Sequence, residues 1–93
     1  MSKKVMFVYE FEKRTPSQVV QTNRKLFGYI DQSFHGKYIY RREGLLSHID
    51  IQRISKGVLI ADEEFHEEIN ETLHSMGTKK IKRYFLTVDK ILG

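Results

Sequence analysis

The 93-residue chain has no cysteine, no tryptophan, a single proline and six glycines. Without a thiol there is no disulfide framework, no thiolate zinc site and no cysteine nucleophile. So little proline and glycine excludes collagen-like and low-complexity chains. Long apolar runs are also missing. Gly57 to Ala61 falls far short of the ~20 residues that a membrane-spanning helix requires, and Met1-Ser2-Lys3-Lys4 leads into only Val5-Met6-Phe7-Val8-Tyr9, too brief for a signal peptide. A cytoplasmic protein with no membrane partner is expected. Hydrophobic residues make up 40% and charged residues 30% of the chain, a balance that suits one small domain over residues 1–93.

The charge is unevenly placed. Sixteen Lys and Arg face twelve Asp and Glu, yet Asp62, Glu63, Glu64, Glu67, Glu68 and Glu71 share one stretch that holds no Lys or Arg. Outside it, the sixteen cations meet only the other six acids. Fifteen of them cluster as Lys3-Lys4, Lys13-Arg14, Arg24-Lys25, Lys37 with Arg41-Arg42, Arg53 with Lys56, and Lys79-Lys80 with Lys82-Arg83. A surface of this kind attracts phosphate backbones or an acidic protein face.

Residues 5 to 11 put Val5, Phe7, Tyr9 and Phe11 on one face and Met6, Val8 and Glu10 on the other, so a central strand is predicted. Thr15-Pro16-Ser17-Gln18 has the pattern of a capping box with proline at the first helical position. The helix that follows carries Val19, Val20, Asn23, Leu26, Phe27 and Ile30 on one stripe and ends near Asp31 or Ser33. A second strand is predicted over Gly36 to Arg42, with Tyr38 and Tyr40 on one face and Ile39 and Arg41 on the other. Leu45 to Ile49 fits either a helical turn or a strand continuation. Ile49, Ile51 and Ile54 lead into Val58-Leu59-Ile60-Ala61, with Lys56-Gly57 either a tight hairpin turn or, the favoured reading, a bulge at Gly57 in one long strand.

Asp62 then caps a second helix with an acidic first turn, an apolar stripe of Phe65, Ile69, Leu73 and Met76, and Gly77 as its stop. A last strand, Lys79 to Val88, is basic enough to be a sheet edge. The order β-α-β-β-α-β defines an α+β, ferredoxin-like split βαβ fold. It has a four-stranded antiparallel sheet with two helices on one face, and its first and third strands are central.

No catalytic fingerprint is complete. His66-Glu67-Glu68-Ile69-Asn70 lacks the second histidine of the HExxH zinc helix, and His66 and His74 stand two turns apart as surface residues. Phe34-His35-Gly36-Lys37 contains Gly-Lys but has Asp31 where a phosphate loop needs its first glycine, and Tyr38 where it needs Ser or Thr. Neither GxGxxG nor GxSxG occurs. No cofactor and no resident metal are expected, and a binding protein is expected rather than an enzyme.

The exception is a set of carboxylates, Glu10 and Glu12 after the first strand with Asp31 or Glu43, which could hold Mg²⁺ and activate water in a metal-dependent nuclease. Small ferredoxin-like nucleases of the kind associated with CRISPR loci also place an acidic residue there, a likeness of fold and not of motif.

The leading expectation comes from His35 to Arg42, where rings alternate with cations as in surfaces that stack bases while neutralising phosphates. The sequence therefore reads as a small basic domain that binds nucleic acid, DNA or RNA. Lys37, Arg41, Arg42, Arg53, Lys56, Lys82 and Arg83 are its expected phosphate contacts, and Tyr38 and Tyr40 its stacking residues. The alternative is a homodimeric interaction module, since two helices cover only one side of a sheet whose first strand is apolar on both faces. A basic protein partner on the acidic helix 62–76 is a further possibility.

Overall fold

A computed structural model describes residues 2–33 and 36–88. Strand β1 (Ser2–Phe11) has the alternation read from its sequence: Val5, Phe7 and Tyr9 are buried, while Met6 and Val8 on the other face are half-buried. It lies between β5 (Val58–Asp62) and β6 (Thr78–Val88), pairing antiparallel with both, so that Phe7 is opposite Leu59 on one side and Arg83 on the other. Strand β4 (Gln52–Ser55) completes a four-stranded sheet of order β4-β5-β1-β6. The central strands are the two most apolar ones, and the basic β6 forms an edge, as expected. The fold is α+β with ferredoxin-like topology.

The strand next to β5 is not the predicted one. Tyr38–Arg42 is a strand, β3, but it pairs with β2 (Tyr29–Ser33) in a separate two-stranded ribbon. Every side chain of Tyr38–Arg42 is exposed, and the segment has no inward apolar face with which to join a core sheet. The sheet position falls instead to Gln52–Ser55, whose single apolar residue, Ile54, gives no period to read. Lys56-Gly57 is the hairpin turn and not the favoured bulge. Gly57 has φ +76°, and a Cβ there would lie 2.5 Å from the Tyr9 carbonyl oxygen, so only glycine closes this turn. The irregularity in pairing occurs earlier, between Arg53 and Ser55.

The chain forms two compact units, one drawn from residues 1–12 and 49–93 and the other from 13–48. In the first, a 3₁₀ turn (Glu63–Phe65) precedes α2 (His66–Ser75), which buries Ile69 and Leu73 as its stripe requires. Asp62 stands at the cap position, but its side chain does not cap. It accepts from Lys4 Nζ at 2.6 Å instead, because the two residues are directly opposite on β5 and β1. Gly77, at φ +76°, follows the helix as the expected stop.

In the second unit, α1 (Pro16–Phe27) opens with the full capping box. Gln18 N–H donates to Thr15 Oγ1 at 3.2 Å, and Thr15 N–H donates to Gln18 Oε1 at 2.9 Å. The helix stops at Phe27, several residues before the expected end, because Gly28 takes φ +80°. Tyr29 and Ile30 therefore belong to a strand. The buried positions of α1 are Thr22 and Leu26, while Val20 is exposed. Thr22 tolerates burial because its hydroxyl donates to the Gln18 carbonyl and accepts from Arg14 Nη1.

Candidate nucleic-acid interface

The nine residues expected to bind nucleic acid divide between the two units. Arg53, Lys56, Lys82 and Arg83 belong to the first unit and do not form one patch. Arg53 is on β4 and Lys82 and Arg83 are on β6, opposite edges separated by two strands and thus by roughly 14 Å at the usual strand spacing. Lys56 sits in the turn between β4 and β5. Lys82 is paired with Val8 and Arg83 with Phe7, so these neighbours project from opposite faces. The Arg83 guanidinium meets His66 Nε2 at 2.9 Å, and the His66 ring lies 5.9 Å from Phe7 and 5.0 Å from Phe85. His66 is thus part of an aromatic contact rather than a bare surface residue. Arg53 lies near Tyr9, whose hydroxyl pKa is raised by burial, and the Arg53 charge partly offsets that rise.

Lys37, Tyr38, Tyr40, Arg41 and Arg42 come together on the ribbon, with Lys37 in its turn. Two-residue periodicity puts Tyr38, Tyr40 and Arg42 on one face. The rings of Tyr38 and Tyr40 are 6.5 Å apart and inclined by only 22°, and they remain 45% and 47% exposed. Cations flank this pair: Lys37 Nζ is 5.9 Å from the Tyr38 ring centre and Arg42 Cζ is 5.4 Å from that of Tyr40. Arg41 points to the opposite face, where it pairs with Glu43 at 3.6 Å. His35 lies outside the described residues.

Arg42 also donates through Nε and Nη2 to Asp31 Oδ2, at 3.3 and 3.2 Å. Asp31 is directly across the ribbon from Tyr40, and Tyr29 is across from Arg42. Exposed ion pairs of this kind contribute at most ~1 kcal/mol, so the Asp31 contact orients the guanidinium without removing it from competition. Asp31 and Glu43 are both held by arginines, Glu10 pairs in register with Lys80, and among the described residues no group of three His, Asp or Glu could hold a metal ion.

Two members of this face escape sequence reasoning. Arg24 from α1 stacks on Tyr29, its Cζ 4.7 Å from the ring centre. Reading Gly28 as the helix stop would have started a strand at Tyr29 and aligned that ring with Tyr38 and Tyr40. No family description, curated protein or solved structure matches this chain.

Proposed function

We propose that the protein binds single-stranded nucleic acid on the Tyr29–Ser33/Tyr38–Arg42 ribbon. The observation that carries this reading is the half-exposed Tyr38–Tyr40 pair set between Lys37 and Arg42. Rings buried for packing would be covered, whereas these keep open surface on which a base can stack, an interaction worth about 1–3 kcal/mol per base. Unpaired bases offer their faces to such a platform and duplex bases do not. Lys37 and Arg42, each beside one of the rings, would neutralise phosphates next to the stacked bases, with no requirement for a particular base sequence.

Fluorescence anisotropy with labelled oligonucleotides tests the reading. A single strand is expected to bind more tightly than the same sequence as a duplex, and its affinity should fall steeply with added salt. Equal affinity for both forms would place binding on charge alone and remove the rings from the account.

A further inference from the structure

Beside the ribbon, within the second unit, lies an open cleft of about 570 Å³, in the size range of small-molecule sites. Its cationic walls are Arg24 and Lys25 from the last turn of α1 and Arg42 from β3, and Gln21 and Tyr29 add polar and aromatic surface. Glu43 is the one acid in the lining, and its carboxylate is turned to Arg41. Lys25 and Arg24 make no ion pair with any described residue. The Arg24 guanidinium lies over the Tyr29 ring, a cation–π contact that uses none of its N–H groups as conventional hydrogen-bond donors.

A helix C-terminus ordinarily repels anions, because its last four carbonyls carry the negative end of the helix dipole. Here all four are covered by donors. The Arg24 carbonyl accepts from Gly28 N–H at 2.8 Å, Lys25 from Leu45 N–H at 2.9 Å, Leu26 from Leu46 N–H at 2.8 Å, and Phe27 from Ser47 Oγ at 3.3 Å. Gly28 and the chain from Leu45 to Ser47 thus blunt the repulsion, leaving Arg24 and Lys25, with Arg42 shared with Asp31, to define the potential of the cleft.

We propose that this cleft binds the terminal phosphate of the strand whose bases stack on Tyr38 and Tyr40, an inference that rests on the function proposed above. Arg42 belongs to both the stacking face and the cleft, so a strand running along the ribbon reaches the cleft at the end away from the Lys37 turn. A phosphate monoester has more negative charge and more free oxygens than an internal diester, which suits an open cleft lined by Arg24, Lys25 and Arg42.

The test compares one oligonucleotide in three forms: unphosphorylated, 5′-phosphorylated and 3′-phosphorylated. One phosphorylated form should bind about tenfold more tightly than the unphosphorylated strand. In Arg24→Gln/Lys25→Gln that ratio should collapse towards one. NMR of the protein with inorganic phosphate or a nucleoside monophosphate provides an independent readout at the Arg24 and Lys25 amides. Equal affinity of all three forms overturns the inference while leaving single-strand binding in place. If inorganic phosphate shifts those amides but end phosphorylation has no effect, the cleft takes a free anion and the inference also fails. Failure of every oligonucleotide to bind overturns the underlying function itself.

Discussion

The Arg83 guanidinium reaches His66 Nε2 at 2.9 Å across the face of the sheet that carries Phe7 and Phe85. Arginine can only donate, so Nε2 must accept and the proton of the neutral ring must reside on Nδ1. Nitrogen-detected NMR of the imidazole should show that tautomer predominating. In Arg83→Gln the forced preference should disappear. A ring protonated at Nε2 in the unaltered protein would contradict the contact.

Arg41 and Arg42 are adjacent in sequence but project from opposite faces of the ribbon, and only Arg42 accompanies the tyrosines. Arg42→Gln should reduce the slope of log affinity against log salt by about 0.7 for a single strand, the value of one phosphate contact. Arg41→Gln should change the slope much less. Equal losses from the two variants would show that the ribbon does not present one face to the ligand.

Gly28 ends α1 at φ +80°, and a Cβ there would clash with the Arg42 carbonyl oxygen. Gly28→Ala combines an unfavourable backbone region with a clash against the strand that carries Tyr40 and Arg42. It should cost roughly 1–3 kcal/mol in thermal or chemical unfolding and weaken oligonucleotide binding in parallel. Unchanged stability would mean that the helix end and ribbon are less closely packed than described.

Burial raises the Tyr9 pKa above its ordinary value, with the Arg53 charge acting in the opposite direction. In the unfolded chain the phenol loses its proton near pH 10, whereas in the folded protein it keeps it to higher pH. The resulting contribution is fully present below about pH 10 and is lost as pH rises through the folded value. Denaturant titrations between about pH 9 and 11 should show stability falling, and Tyr9→Phe should flatten that decline. An identical decline in the variant would assign it to other groups.

The parts of the fold that were legible are those where burial imposes a period. Val5, Phe7 and Tyr9 alternate, Ile69 and Leu73 recur at helical spacing, and Thr15 with Gln18 forms a local cap that needs no tertiary partner. The ribbon was only half legible, because its faces are both exposed and Tyr38–Arg42 reads as a strand without saying which strand it joins. Ile30 misled for a related reason: it continues the helical stripe of Leu26 and Phe27, yet Gly28 breaks the helix and leaves Ile30 59% exposed on β2. Edge strand β4 carried almost no signal. For the candidate site, charge clustering drew attention to Lys37 and Arg42 but grouped them with Arg53 and Arg83, which belong to the other sheet, since runs of cations in sequence do not say which sheet a strand joins.

The central claim is that Tyr38 and Tyr40 are a stacking platform. It is tested most directly by measuring the affinity of one single-stranded oligonucleotide for the unaltered protein and for Tyr38→Ala/Tyr40→Ala at the same salt concentration. Circular dichroism would confirm that the variant retains its fold. The account predicts a loss of at least tenfold, equivalent to about 1.4 kcal/mol, with the salt slope nearly preserved because both cations remain. An affinity unchanged by removal of the two rings, in a folded variant, would contradict it.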